Sequence, residues 1–206
     1  MKQNEDMTTE AAIMQAAENE FLEKGFNGAK TTEIARRAGV THAMLHYYFR
    51  TKENLFDQVF LEKLQIVANS FSMILGKDLP FLERIKLGIE AHFDYLLANP
   101  KLPAFIIHEI IADETRREVC KAVILPKFQE VLQRLKIAMQ EEVAKGTIRF
   151  IEPWDLMMNI VSLNVFVFVA TPLVKMIVNV DDENFGAFLE HRKQQNVELI
   201  LKGLQV

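Results

Sequence analysis

An all-α fold is predicted by three features of the sequence. Apolar residues recur at three-to-four spacing along almost the whole chain, and no run alternates convincingly with period two. Eight Gly and six Pro in 206 residues are too few for a turn-rich all-β chain. Half the residues are apolar and a quarter are charged, the balance of a globular protein with a sizeable core. The periodicity and its stop signals give about nine helices.

The first helix spans residues 8–24, with Ile13, Ala17, Phe21 and Leu22 on one side and Gly25 as its stop. Thr31 or Thr32 caps a short second helix that closes near Ala38-Gly39, and Thr41 caps a third over 42–48. Thr51 caps a longer one, whose stripe of Leu55, Val59, Phe60 and Leu64 fades near Gly76. Pro80 opens a helix that runs to Ala98 and is closed by Asn99-Pro100. Beyond Pro103 a short helix carries Phe105, Ile106, Ile110 and Ile111. Thr115 with Glu118 reads as a capping box opening a long helix to Lys145-Gly146, kinked or divided at Pro126. Glu152-Pro153 opens an uncharged helix that Pro172 interrupts late. Asp181 or Asp182 caps the last helix, 183–202, which ends at Gly203.

Between Leu156 and Val174 no residue is charged, and these 19 positions would extend about 28 Å as a helix. Asn159, Ser162, Asn164, Thr171 and Pro172 interrupt the stretch, and no cationic cluster flanks it, so a buried or interface helix is expected rather than a membrane span. The opening residues MKQNEDMTTE are acidic and lack an apolar core, which argues against a secretory signal. A cytoplasmic location is the expectation. A single Cys, Cys120, excludes a disulfide framework and multi-cysteine metal sites; it reads as a packing residue. Neither a nucleophile elbow, a Gly-rich phosphate loop nor an HExxH pair is present, so no enzyme, cofactor or metal site is expected.

The formal net charge of −4, taken as an average, argues against a nucleic-acid partner. Its distribution argues the opposite. Between Gly28 and Lys52 five cations (Lys30, Arg36, Arg37, Arg50, Lys52) face only Glu33, a local charge of +4 that leaves −8 on the rest of the chain. This stretch contains TTEIARRAGVTHAMLHYYFRTKE, residues 31–53: two short helices joined by a Gly-containing turn, the layout of a helix-turn-helix. Ile34, Ala35 and Ala38 face inward and pack against Val40, Leu45 and Phe49, which leaves His42, Ala43, His46 and Tyr47 on the outer face.

Over residues 8–55 the sequence resembles the TetR family of transcriptional regulators. The resemblance lies in Ala16-Ala17, Phe21 and Gly25-Phe26, then Thr31-Thr32, Ile34-Ala35 and Ala38-Gly39-Val40. It continues through Leu45-His46-Tyr47-Tyr48-Phe49 and Thr51-Lys52-Glu53-Asn54-Leu55. His46 replaces the family's usual Tyr and His42-Ala43-Met44 replaces a commoner Lys/Pro/Gly-type sequence, so the operator sequence does not carry over by analogy. Residues 56–206 match only the family's general helical layout.

On this basis the expected domains are a DNA-binding domain over residues 1–51 and an effector-binding and dimerisation domain over 52–206. Lys52 and the helix N-terminus at Thr31 and Thr32 are expected to hold phosphates. The resemblance implies backbone contacts from Tyr47 and Tyr48, with Tyr48 as a core residue the alternative. His42, Ala43 and His46 are the base-edge candidates, Ala43 through a thymine methyl. The His42–His46 spacing also suits a metal, but no third ligand is evident, and a pH-sensitive operator affinity is the better reading of the pair.

In the second domain Phe93, Phe105, Phe128, Met139, Met157 and Phe168 suit an apolar cavity. His108, Glu109, Asn159 and Asn164 are polar insertions that would orient a small-molecule effector, or, for the asparagines, bond across a dimer interface. His92 and His191 are expected to be solvated or satisfied within the fold. The resemblance implies a homodimer through the last two helices, about 154–202, repression as the usual outcome, and a pseudo-palindromic double-stranded DNA operator. A ligand would then control the spacing of the two heads through the helix after Lys52. The rival readings are a helical small-molecule carrier or enzyme that kept the fold without regulating transcription, and a membrane-tethered regulator.

Overall fold

In the computed structural model, which describes residues 8–70 and 79–206, every regular element is helical. In chain order these are α1 Thr9–Gly28, α2 Thr31–Arg37, α3 His42–Phe49, α4 Lys52–Ser70, α5 Phe81–Ala98, α6 Leu102–Ala112, α7 Glu114–Ala144, α8 Pro153–Val169, α9 Thr171–Val178 and α10 Phe185–Leu204. The all-α expectation holds, with ten helices among the described residues rather than nine. The extra one comes from Pro172. Sitting in the first turn of α9, it opens a new helix instead of merely disturbing the old one. The break at Ala170 bends the uncharged stretch by 81°, and no single described helix is long and apolar enough to cross a membrane. Pro126, by contrast, lies inside the 31-residue α7 without ending it. The expected fade of the α4 stripe near Gly76 lies outside the described residues.

Local chemistry explains most boundaries. Thr8, Thr41 and Thr51 each accept a bond from the backbone N–H three residues on, the N-cap geometry that sets the start of α1, α3 and α4. Gly25 breaks α1 where expected, at φ 65°, and one further turn runs on to Gly28. Three caps differ from expectation. Lys30, not a threonine, precedes α2, and it gives no side-chain cap. Asp113 accepts from Arg116 N at 3.1 Å and opens α7, a register two residues earlier than the Thr115–Glu118 box. Asp181 accepts from Asn184 N at 3.0 Å, but the turn it makes delays α10 to Phe185, and Gly203 lies within that helix rather than ending it.

The chain divides into two compact units, one running up to Gln65 and including Phe105–Cys120, the other comprising Ile66–Ala104 and Lys121–Val206. Three helices, α4, α6 and α7, belong partly to each. In the first unit α1 packs on α2 and α2 on α3. Its core centres on Phe56, whose ring lies 4.9 Å from that of Phe21, 5.0 Å from Phe26, 5.8 Å from Phe60 and 5.7 Å from Phe105.

In the second unit α5, α8 and α10 pack against one another. One cluster joins Ile89, Leu135, Met139, Leu156, Met157 and Ile200, with half-buried Phe128 against it. A smaller cluster joins Phe93, Leu96, Val167, Phe168 and Leu189. Among the described residues of this unit three polar side chains are buried, His92, Asn164 and Asn196. Asn164 Nδ2 donates to Ile89 O at 3.0 Å and to His92 Nδ1 at 3.2 Å, and Asn196 Nδ2 donates to Asn164 Oδ1 at 2.9 Å. Asn164 therefore does not bond across a dimer interface: it is fully buried and serves its own chain. His92 is satisfied within the fold, and burial pushes its imidazole down to about 4.

Candidate nucleic-acid interface

The eight residues of α3 contain only two that are buried, Leu45 and Phe49, one turn apart. They fasten the helix by a single narrow stripe. His42, Ala43, Met44, His46, Tyr47 and Tyr48 are all exposed. Such a helix gains little from burial, so its outward side chains are free to meet something else. Tyr47 is 82% exposed and Tyr48 42%, which removes the core alternative for Tyr48. Their rings meet edge to face at 5.4 Å.

The α2–α3 turn is built for close quarters. Gly39 adopts φ 69°, and a Cβ there would meet nothing within 4 Å, so the glycine is demanded by backbone conformation rather than by space. Val40 N returns to Ala35 O at 3.0 Å and ties the turn to α2. Across it, the Thr31 hydroxyl lies 3.0 Å from His42 Nε2 and joins the first residues of the two helices. Thr31 thus spends its side chain on α3 rather than on a cap, while Thr32 is exposed beside it.

The α3–α4 junction is tighter. Thr51 N donates to Phe49 O at 2.7 Å across Arg50, whose backbone stands at φ 62°, ψ −58°, the geometry of a γ-turn. Lys52 follows at once as the first residue of α4, its ammonium 4.7 Å from the centre of the Phe26 ring. Arg50 carries the unusual backbone here, and nothing in residue type announced it. A non-glycine residue seldom takes positive φ.

The local charge of +4 is partly spent inside the fold. Arg36 bonds Glu33 at 2.9 and 2.6 Å. Arg37 reaches three carboxylates, Glu23 at 2.9 Å and both Glu20 and Glu33 at 3.2 Å. The two guanidinium groups, by hydrogen bond and charge, hold the Glu33 carboxyl well below its ordinary range. Glu20 is fully buried, and Arg37 and Lys24 are its counter-charges.

The proposed effector residues divide between the units. Phe105, His108 and Glu109 line one small cleft of about 250 Å³ in the first unit, beside Phe21 and Gly25. Within it Glu109 is buried, ion-paired to Arg116, and accepts from Phe26 N at 3.3 Å, while His108 is exposed. Phe93 and Phe168 meet in the second unit at 5.2 Å, one turn along α8 from Asn164. Phe128 stacks edge to face on Trp154 at 5.3 Å in the other apolar cluster. Arg116 is the partner that residue-by-residue reading missed; its only trace in the sequence is its spacing, seven residues after Glu109 on the following helix. Among the described residues no cluster of three metal-ligating side chains forms, and His42 and His46 meet instead edge to face at 4.4 Å.

Comparison with known proteins bears on this arrangement directly. Residues 13–59 match the family model of bacterial regulatory proteins, tetR family. The HTH-type transcriptional regulator YdgC of Bacillus subtilis is 28% identical over 130 residues, 60% of this chain and 65% of that protein. The fatty acid metabolism regulator protein of the same organism is 27% identical over 90 residues, 44% of this chain and 46% of that one. The chain thus spans just under two thirds of the first relative and less than half of the second. In fold, the transcriptional regulator FadR of B. subtilis, solved in complex with stearoyl-CoA, superposes with a TM-score of 0.64 at 20% identity over 93% of this chain and 97% of that one. Each of these proteins is named as a regulator, two of them of transcription and one of fatty acid metabolism. The helix-turn-helix segment therefore matches the tetR family of bacterial regulatory proteins over residues 13–59, and the helical fold is shared almost end to end with solved regulators.

Proposed function

We propose that the protein is a homodimeric repressor that binds a pseudo-palindromic DNA operator through α3 and leaves it when a small apolar or amphipathic effector binds. The observation that carries this reading is the exposure of six of the eight α3 residues on a helix whose only buried side chains are Leu45 and Phe49. Residues 1–51 act as the DNA-binding domain and 52–206 as the effector and dimerisation domain. His42, Ala43 and His46 meet base edges in the major groove. Tyr47, Tyr48, Thr31, Thr32 and Lys52 meet the phosphate backbone.

Two recognition helices must reach half-sites one helical turn apart, about 34 Å, which requires a dimer. The face for it is 154–202. Phe166, Met176, Ile177 and Leu199 are exposed there at 59–71%, and a groove of about 670 Å³ runs between α8, α9 and α10. Exposed apolar side chains at this density favour burial against a second copy. Removal of the chain from Asp155 onward is expected to leave a monomer by sedimentation, and a dimer from that truncation would move the interface elsewhere.

The effector candidates are Phe93, Phe168, Asn164 and Phe128 in the second unit and, as a separate group in the first, Phe105 with His108 and Glu109 as its polar neighbours. The relative named for fatty acid metabolism and the stearoyl-CoA complex of a fold neighbour make long-chain acyl compounds the first class to test. A ligand that binds the DNA-free geometry better must weaken operator affinity by the same factor. The protein would act in the cytoplasm, where its DNA is. Fluorescence anisotropy on the gene's own upstream region, with and without stearoyl-CoA, tests the reading. Specific binding released by the ligand supports it. Binding of the ligand without any binding of DNA would favour a helical carrier instead.

A further inference from the structure

His46 makes a hydrogen bond that fixes its chemistry. The γ-turn at Arg50 sends that residue's carbonyl back over the last turn of α3, where His46 Nδ1 lies 2.7 Å away. Arg50 N donates in return to His46 O at 2.9 Å, so the two residues clasp each other. A carbonyl oxygen only accepts, which places the proton on Nδ1. In the neutral imidazole the other nitrogen, Nε2, then carries a lone pair and no proton. The ring is exposed, on the same face as Ala43 and Tyr47. His42 packs edge to face on it at 4.4 Å and has its own Nε2 engaged by the Thr31 hydroxyl at 3.0 Å.

We propose that His46 is a specificity-determining residue of this regulator, one that offers a hydrogen-bond acceptor to the major groove and so selects a base with an amino group there. This rests on the reading of α3 as the DNA-reading helix. In the major groove only the adenine N6 and cytosine N4 amino groups donate, whereas guanine presents acceptors at N7 and O6. A neutral His46 therefore favours adenine or cytosine at the position it meets and leaves guanine facing lone pair to lone pair. The groups that face the ring are the His42 imidazole and the Arg50 carbonyl, and the Thr31 hydroxyl stands behind His42.

The test is selection of bound duplexes from a randomised DNA pool by the full-length chain. The same selection is made with His46→Phe, which keeps a ring and removes both nitrogens. In the wild type one position in each half-site is expected to favour adenine or cytosine about fivefold over guanine. That preference disappears in His46→Phe. Long-range nitrogen spectra of the wild-type chain, expected to show the proton on Nδ1, keep the proposal exposed even if the variant folds poorly. An operator selected by the variant as by the wild type overturns the proposal alone. So does a long-range nitrogen spectrum of the free protein that shows the proton on Nε2. A wild-type chain that selects no sequence at all overturns this proposal together with the reading of α3.

Discussion

The Glu109 carboxylate and the Arg116 guanidinium form a buried ion pair that joins α6 to the start of α7 within the first compact unit. Glu109 is 1% exposed and also accepts from Phe26 N at the broken end of α1. Arg116 lies 4.1 Å from the centre of the Phe56 ring and 4.5 Å from that of Phe26. The pair therefore fastens residues 105–120 to the end of α1 and to α4 by charge, by a backbone hydrogen bond and by two cation–π contacts at once.

Removing Arg116 leaves the Glu109 carboxylate charged and buried, and removing Glu109 leaves a guanidinium that is only 14% exposed without its partner. Glu109→Ala is expected to destabilise the protein by about 3 kcal/mol, because an uncompensated buried charge costs more than the pair contributes. Replacing both by apolar residues, Glu109→Leu with Arg116→Met, should recover most of that loss. Urea unfolding of the single and double variants decides it. A single variant within 1 kcal/mol of wild type would show that the pair is not closed off from water.

Arg37 and Lys52 are both cations of the basic stretch, and the structure gives them different work. Arg37 faces Glu20, Glu23 and Glu33, whereas Lys52 opens α4 with its ammonium against the Phe26 ring and no ion pair among the described residues. Lys52→Ala is expected to weaken binding to all DNA sequences and to reduce the slope of log affinity against log salt by about one unit. Arg37→Ala is expected to leave that slope unchanged and to lower the melting temperature, since Glu20 stays buried and loses a counter-charge. A salt titration of both variants beside thermal unfolding separates the roles. Equal changes in slope would place Arg37 on the phosphates too.

The strained backbone at Arg50 gives a prediction that no contact list would. At φ 62° an L side chain is disfavoured and glycine is not. Arg50→Gly is expected to be more stable than Arg50→Ala by about 1 kcal/mol, the comparison cancelling the lost charge. Equal stability of the two variants would mean that the γ-turn relaxes once the arginine is gone.

The head was legible in the sequence because its constraints are local. Threonine caps at residues 41 and 51, a glycine at 39, and one apolar stripe of Leu45 and Phe49 each act within a few residues, so their spacing survives as a readable pattern. Tertiary pairings leave no such trace. Arg36 and Arg37 count as exposed charge until Glu20 and Glu23 of α1 are folded against them. Asn164 reads equally as a ligand anchor or an interface residue until His92 and Asn196, 72 and 32 residues away in the chain, are seen beside it. Thr31 looks like a cap in a linear reading because serine and threonine before an apolar run usually are. Only the turn at Gly39 brings His42 to its hydroxyl. The effector side was least legible for the same reason: Phe93 and Phe168 come from helices 75 positions apart, and apolar spacing alone does not separate a pocket from a core.

His92 couples the second unit to pH. It is 6% exposed, holds Asn164 through an unprotonated Nδ1, and burial brings its imidazole from the ordinary 6.5 down to about 4. The folded state thus binds this proton less readily than the unfolded chain. Between about pH 6.5 and pH 4 the unfolded state holds more protons, so stability rises with pH in that window and falls on acidification. The stabilisation is complete above the unfolded value and is lost progressively down to the folded one, at most about 3 kcal/mol over the whole window. His92→Gln, which cannot take up a proton, is expected to lower stability at neutral pH and to flatten the acid limb by that amount. Urea unfolding of wild type and variant at about pH 7 and about pH 4.5 is the measurement. If the two chains lost stability in parallel on acidification, another group would be responsible for the acid limb.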